Sequence, residues 1–251
     1  MSIAPLHDRT EEAGGGTNRA TVTDPARLRT GATLGAMGSL RTGDVNATLD
    51  AYLDELERWT ARLNLTSIWR EQMWARNVAE VEELLDVSAP PHGCRAVDIG
   101  SGGGVPGIVI AVLRPDLSVT LIDSDRRKSA FLIHVAGLLG LSRVRVEAIR
   151  AEDAGHRADL REQFDFATSR ATAPPPVLCE LALPLLSVGG TLAALVADAP
   201  AARHACAGAA SACGGGAPAA PAQGVLIVRK VAPTPAGYPR RPGTPSRHPI
   251  S

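Results

Sequence analysis

Aromatic residues are scarce in this sequence: phenylalanine, tryptophan and tyrosine together make up 3% of its 251 residues. A protein that recognises nucleic acid mainly by stacking bases on aromatic rings needs more of them. Excess positive charge is also absent, because 26 lysines and arginines are balanced by 26 aspartates and glutamates. Binding to nucleic acid by bulk charge is therefore excluded, although a local basic patch is not.

Long apolar runs and paired cysteines are missing as well. No apolar run reaches the roughly eighteen residues of a membrane span, and residues 1–30 lack the apolar core of a signal peptide. The four cysteines form no C-x-x-C pair, and His204, Cys206 and Cys213 lack the spacing of a metal site. We therefore expect a cytoplasmic protein with buried, reduced thiols, no metal and no membrane partner.

The chain begins with a polar, glycine-rich extension, residues 1–43, which we expect to be disordered. Helical periodicity starts at Asp44, and a second helical pattern runs from about Glu71 to Leu85. The first pattern spaces apolar residues three or four positions apart, at Leu49, Tyr52, Leu53, Leu56, Trp59 and Leu63. Residues 44–90 are therefore predicted to form a small helical subdomain.

From residue 91 to residue 251, short apolar runs alternate with helical patterns, as in a parallel sheet covered on both faces. The predicted strands are Arg95–Ile99, Val119–Ile122, Val144–Glu147, Phe164–Thr168, Thr191–Val196 and Val225–Val228. The predicted helices are Pro106–Leu113, Arg127–Leu139 and Val177–Leu185. Ligands of such sheets bind at the carboxyl ends of the strands, so the loops there are the expected site.

The most informative motif follows the first predicted strand, where Asp98 leads into alternating glycines in the pattern D-x-G-x-G-x-G. Asp123 ends the second strand, twenty-five residues after Asp98. Glycines let the backbone approach a cofactor, and an acid at the second strand's tip hydrogen-bonds ribose hydroxyls. The glycine motif of dinucleotide enzymes has no carboxylate directly before it. A carboxylate there suits the cationic methionine end of S-adenosylmethionine (SAM). SAM is therefore predicted ahead of a nicotinamide cofactor or a glycine turn without ligand.

The last part of the chain contains two unusual segments. Residues 197–223 are almost all alanine, glycine and proline, which favours either a poor helix or a flexible insertion. The tail, residues 229–251, holds five lysines and arginines, six prolines and no acid. It is predicted to be an extended basic strap that contacts RNA phosphates, or a terminus that packs on the edge of the sheet.

Several motifs point together to one family. Trp59–Ile68 is similar to W-N-x-R-x-N-L-T-x-I, Asp98–Gly107 to D-x-G-x-G-x-G-x-P-G, and Thr234–Pro245 to T-P-x-x-Y-P-R-x-x-G-x-P. Shorter matches lie at Asp123–Leu132, Arg150–Glu152 and Ser169–Ala171. Over residues 48–196 and 225–250 the chain thus resembles the bacterial RsmG (GidB) family, which methylates N7 of a guanine in the decoding-region loop of 16S ribosomal RNA.

The resemblance implies an α/β, Rossmann-like class I SAM-dependent methyltransferase with a small N-terminal helical subdomain. Asp98 is expected to face the amino group of SAM, Asp123 its ribose hydroxyls, and the Ala151 backbone amide its adenine. The full set of implied cofactor-binding residues is Asp98, Gly100, Ser101, Gly102, Gly104, Val105, Pro106, Asp123, Ser124, Ala151, Glu152 and Arg170.

The implied substrate is 16S rRNA of the small ribosomal subunit, with a monomeric enzyme as the default. Guanine N7 is nucleophilic without losing a proton, so the enzyme needs to align it with the methyl group and needs no strong base. Arg170 is the predicted catalytic residue, orienting the base or a phosphate, and a sheet-edge ion pair is its alternative role. The predicted RNA-binding residues are Arg127, Lys128, Arg240 and Arg241.

Two departures from the family pattern keep other functions open. The positions of the family's H-x-x-D-S motif are occupied here by Arg76, Ala79 and Glu80. The family also has a lysine at the end of strand five, in A-L-K-G, where this chain has Leu195-Val196-Ala197. The first alternative is a diverged SAM-dependent methyltransferase of a small molecule or protein. The second is a non-catalytic paralogue that binds SAM or RNA.

Overall fold

The structure is a computed structural model, and it describes residues 42–251. The expected disorder of residues 1–41 lies outside the described residues. The last two residues of the predicted extension, Thr42 and Gly43, instead form the beginning of the first helix. The first helix thus starts slightly earlier than its sequence pattern indicates.

Two helical segments precede the sheet. Helix α1, Thr42–Leu63, buries the predicted apolar stripe against the sheet domain. The second segment consists of α2 (Arg70–Met73), a π-helical turn (Trp74–Ala79) and α3 (Glu80–Ser88). The predicted regular helix is therefore interrupted by a wider turn, a feature that is frequent at functional sites.

A seven-stranded sheet forms the centre of the protein, in the order β3-β2-β1-β4-β5-β7-β6. Strands β1 to β5 pair in parallel, whereas β7 pairs antiparallel with both β5 and β6. The strands are β1 Arg95–Ile99, β2 Ser118–Ile122, β3 Val144–Glu147, β4 Phe164–Arg170, β5 Leu186–Leu195, β6 Ala219–Ala222 and β7 Val225–Arg229. The predicted parallel sheet is confirmed for its first five strands.

Helices cover both faces of this sheet. They are α4 Gly107–Leu113, α5 Arg126–Leu138, α6 Ala151–Ala154, α7 Pro175–Ala182, α8 Ala199–Ala205, α9 Ala207–Ala212 and α10 Thr244–Arg247, with a 3₁₀ turn at Leu183–Leu185. Alternate residues of β1 enter opposite cores: Ala96 joins the cluster with α1, α4 and α5, whereas Val97 joins the cluster with α7 and α9. Side chains that alternate along the strand therefore pack into hydrophobic clusters on opposite faces of the sheet.

The alanine-rich tract, residues 197–223, is ordered as α8, α9 and β6. Asp198 caps α8 by accepting the Ala201 N–H at 2.9 Å. Small side chains allow close packing, since Ala202, Cys206 and Ala209 are all buried in the cluster with α7. Of the two predicted alternatives, the structure supports a helix-forming segment.

All four cysteines are buried, as predicted. Within residues 42–251, no helix combines the length and apolar character that a membrane crossing needs. The same residues contain no group of three histidine, cysteine, aspartate or glutamate side chains that could hold a metal ion.

Candidate active site

A groove of about 1520 Å³ opens at the carboxyl ends of β1, β2, β4 and β5. One wall comes from α1, α3 and the connection between α1 and α2, and the opposite wall from α7, α8 and α10. The predicted site residues that line it are Gly100, Ser101, Gly102, Val105, Asp123, Ser124, Lys128, Ala151, Glu152 and Arg170. The sequence motifs therefore meet in one place, as the topology of the sheet requires.

The glycine loop forms the floor of the groove. Gly100, Gly102 and Gly104 have φ values of +67°, +53° and +96°, which lie in the left-handed region that glycine tolerates best. A Cβ atom on Gly100 would also collide with the Thr172 side chain. Gly104 and Pro106 are buried and do not line the groove, whereas Val105 between them does. This arrangement leaves room for a ligand against the backbone.

Asp98 is the second-last residue of β1, beneath the loop, and is fully buried. Its Oδ2 accepts the Gly107 N–H at 3.2 Å, whereas Oδ1 has no hydrogen-bond partner among the described residues. Burial raises the pKa of Asp98 to about 7, against the lowering effects of Ser101, Gly107 and Arg170. A buried acceptor without a partner fits a ligand that brings a donor or a positive charge.

Asp123 ends β2 and fixes the glycine loop. Its Oδ2 accepts the Gly102 N–H and its Oδ1 accepts the Asp125 N–H, both at 2.8 Å. A carboxylate oxygen can accept more than one hydrogen bond, so Asp123 retains acceptor capacity toward the groove that it lines. The predicted interaction with ribose hydroxyls is compatible with this geometry.

Glu152 lines the groove, but its carboxylate is already engaged by protein groups. Its Oε1 accepts bonds from the Arg150 guanidinium and the Gly243 N–H, each at 2.9 Å. Burial alone would raise the pKa of Glu152, but these hydrogen bonds outweigh it and hold the pKa below its usual value. Ala151, its neighbour, remains exposed to the groove.

Arg170 ends β4 and contacts the helical wall. Its Nη1 donates to the Arg76 carbonyl at 2.7 Å and to Asn77 Oδ1 at 2.8 Å. Both acceptors are neutral, so these bonds are not the sheet-edge ion pair considered as an alternative. Burial lowers the pKa of Arg170, whereas the nearby carboxylates of Glu80 and Asp98 oppose this effect.

Asn77 is a residue of the site that sequence reasoning missed. It lies fully buried in the π-helical turn, and its Nδ2 has no hydrogen-bond partner among the described residues. Asn77 and Glu80 have the spacing of the His and Asp in H-x-x-D-S, whereas Ala79 is exposed. A polar side chain at a buried position of the helical pattern was the available signal.

The predicted RNA-binding residues occupy different environments. Lys128 lines the groove, and Arg127 is 76% exposed at the beginning of α5. Arg241 is also exposed. Arg240 instead pairs with Glu180 at 2.6 Å, and the side chain of Glu180 is only 1% exposed. The charge of Arg240 is therefore already engaged inside the protein.

Known proteins match this chain over most of its length. A family model described as GidB, rRNA small subunit methyltransferase G, matches residues 45–217. The chain belongs to this family. Relatives named ribosomal RNA small subunit methyltransferase G occur in Moorella thermoacetica, with 35% identity, and in Chloroflexus aggregans, with 39% identity. Each alignment covers 81% of this chain and 90% of the relative.

Solved structures agree on the fold. A Corynebacterium glutamicum protein has a TM-score of 0.50 and 19% identity, covering 72% of this chain and 90% of that chain. At such identity the likeness concerns the fold alone. The predicted Rossmann-like class I fold and the predicted GidB family are both confirmed, and the chain is a SAM-dependent methyltransferase of small-subunit rRNA.

Proposed function

We propose that this methyltransferase modifies N7 of a guanine in 16S rRNA. The family fixes the class of reaction and the small-subunit RNA. The choice of atom rests on Arg170, a cation at the groove whose hydrogen bonds reach only neutral oxygens. Arginine is the side chain that most often recognises the N7 and O6 edge of guanine. Arg170 can therefore hold O6 while N7 faces the methyl group.

The residues beneath the groove fit SAM, which supplies an electrophilic methyl group on a sulfonium. Asp98 Oδ1, a buried acceptor without a protein partner, suits the amino group of the methionine portion. Asp123 suits the ribose hydroxyls, and the glycine loop permits close approach of the backbone. The groove-lining residues proposed around SAM are Gly100, Ser101, Gly102, Val105, Ser124, Ala151 and Arg170. The buried Gly104 and Pro106 are proposed to shape the loop, and Glu152 to support the adenine end.

The acceptor side requires positioning more than acid–base chemistry. N7 attacks with a lone pair, so no proton has to be removed before transfer. The product carries a positive charge on the base, and carboxylates at the groove stabilise it. Glu80, Glu83 and Asp198 line that part of the groove.

RNA contacts are proposed for Arg127, Lys128 and Arg241, which lie at the surface or along the groove. Each can bind a phosphate and add a salt-dependent increment to affinity. Arg240 is a weaker candidate, since phosphate would have to displace Glu180. We further propose that the enzyme acts in the cytoplasm as a monomer.

Deletion of the gene followed by mass spectrometry of 16S rRNA tests the function. We expect loss of one N7-methylguanosine, restored by the wild-type gene and not by an Arg170→Lys variant. Purified enzyme should also methylate small subunits from the deletion strain. Retention of every N7-methylguanosine would refute the assignment. SAM binding without transfer to those subunits would instead favour a diverged methyltransferase or a non-catalytic paralogue.

A further inference from the structure

Three glutamates from separate elements hold the C-terminal strap, defined here as residues 230–248. Each glutamate accepts a backbone N–H of the strap through its Oε1. The pairs are Glu162 with Thr234 at 2.7 Å, Glu180 with Arg240 at 2.8 Å, and Glu152 with Gly243 at 2.9 Å. Backbone donors bound to carboxylates fix the course of the chain independently of most strap side chains.

Side chains strengthen this attachment in the first half of the strap. The Arg161 guanidinium donates to the carbonyls of Thr234 and Tyr238, both at 2.8 Å. The fully buried Lys230 ammonium donates to the Leu183 carbonyl at 2.7 Å. The tail is therefore a fixed part of the domain, although its composition alone is typical of an extended basic arm.

The strap ends beside the groove. The bond between Gly243 and Glu152 brings α10 next to the loop that follows β3. Ser246 on α10 lines the groove together with Ala151 and two leucines of α7, Leu178 and Leu181. Ser246 is exposed, so its side chain is not needed for packing of the core.

We propose that Ser246 and α10 form one wall of the adenine-binding end of the groove. Ala151, Leu178 and Leu181 supply an apolar surface suited to a flat base, and α10 closes this end from the side of the strap. The strap is thereby part of the cofactor site. This inference rests on the proposed use of SAM, but not on the identity of the RNA target.

The attachment through Glu152 makes the coupling reciprocal. A ligand that packs against α10 stabilises the docked strap, and a loosened strap weakens binding of that ligand by the same factor. Glu152 acts here as a positioning residue, because its carboxylate contacts the strap while Ala151 faces the groove.

A bulky side chain at position 246 provides the test. Calorimetry with S-adenosylhomocysteine should show roughly tenfold weaker binding for Ser246→Trp than for the wild-type protein. The matched control is His248→Trp, which places the same side chain two residues further along the strap and outside the groove. Its affinity should stay within about twofold of wild type.

Hydrogen exchange supplies a readout that does not depend on folding of the Ser246→Trp variant. In the wild-type protein, S-adenosylhomocysteine should slow exchange of the Arg240 and Gly243 amides, which bind Glu180 and Glu152. A folded Ser246→Trp variant with unchanged affinity, or unchanged exchange in the strap on saturation, would overturn the inference. Failure of the wild-type protein to bind S-adenosylhomocysteine would instead overturn the proposed function.

Discussion

Two arginines near the carboxyl edge of the sheet are held in contrasting ways. Arg240 donates to the buried carboxylate of Glu180, which raises the pKa of this arginine. Arg170 donates to a backbone carbonyl and an asparagine oxygen, and burial lowers its pKa. The first charge is neutralised within the protein, whereas the second faces a groove without a carboxylate bonded to it.

This contrast separates a structural cation from one available to a substrate. A buried carboxylate–guanidinium pair stabilises the folded chain only while both partners are present. A guanidinium bonded to neutral oxygens keeps its charge for a ligand that brings electron density, such as a guanine O6 or a phosphate. Sequence motifs contain both arginines without distinguishing these roles.

Replacing Arg170 with lysine should have the largest effect on methyl transfer. Lysine keeps the positive charge but has no planar guanidinium. It therefore cannot bond the Arg76 carbonyl and Asn77 Oδ1 through one nitrogen while other N–H groups in the same plane point to the base. The single-turnover rate with small ribosomal subunits should fall by roughly a hundredfold. Arg240→Lys is the matched control and should retain most activity. Equal rates for wild type and Arg170→Lys would reduce Arg170 to an attachment point for the helical wall.

Replacing Arg240 with alanine should mainly affect stability. The change leaves the buried Glu180 without its charged partner, at a cost of about 3 kcal/mol in the free energy of unfolding. Urea denaturation measures this loss. The neighbouring Arg241→Ala should stay within about 0.5 kcal/mol of wild type, because Arg241 is exposed. Similar stability for both variants would contradict the structural role of Arg240.

A smaller effect is expected from pH on cofactor affinity. With a pKa of about 7, Asp98 is protonated below and ionised above that value. Affinity for S-adenosylhomocysteine should therefore rise roughly tenfold between about pH 6 and pH 8. Because the folded state binds this proton more tightly than the unfolded state, the stability from Asp98 is full below about pH 4, the pKa of a free aspartate, and is lost as the pH rises from there to about 7. The affinity of an Asp98→Asn variant for S-adenosylhomocysteine should not change with pH. The same pH dependence in the variant and the wild-type protein would contradict the role of Asp98.

Much of the fold follows from local sequence patterns. Apolar runs bounded by turn residues predict β1 to β4 closely, because each strand is short and β1, β2 and β4 are mostly buried, whereas β3 is only partly buried. The π-helical turn at Trp74–Ala79 has no such local signal, and its contacts with Arg170 join residues more than 90 positions apart in sequence. The alanine-rich tract buries Ala199, Ala202, Cys206, Ala209 and Cys213 at helical spacing, but alanine also occupies its exposed positions, so the sequence shows little contrast between buried and exposed faces.

In the site, too, residues that belong to a local motif are predictable from the sequence, whereas contacts between distant residues are not. Asp98 and Asp123 follow from the motif because strand tips of a parallel sheet meet at one edge. The strap was predicted only as two alternatives, since its partners lie far away in sequence. Glu180 precedes Arg240 by 60 residues and Glu152 precedes Gly243 by 91 residues. No spacing rule connects such pairs before the chain has folded.

The long separation between the glutamates and the strap also sets an order of assembly during translation. When the sheet strands have left the ribosome, Glu152, Glu162 and Glu180 still lack the amide donors that will bind them. An unpaired carboxylate in the position of Glu180 opposes burial, so the partly synthesised domain stays loosely closed there. An enzyme that modifies ribosomes is thus completed only when its own ribosome has translated the last turn of the strap.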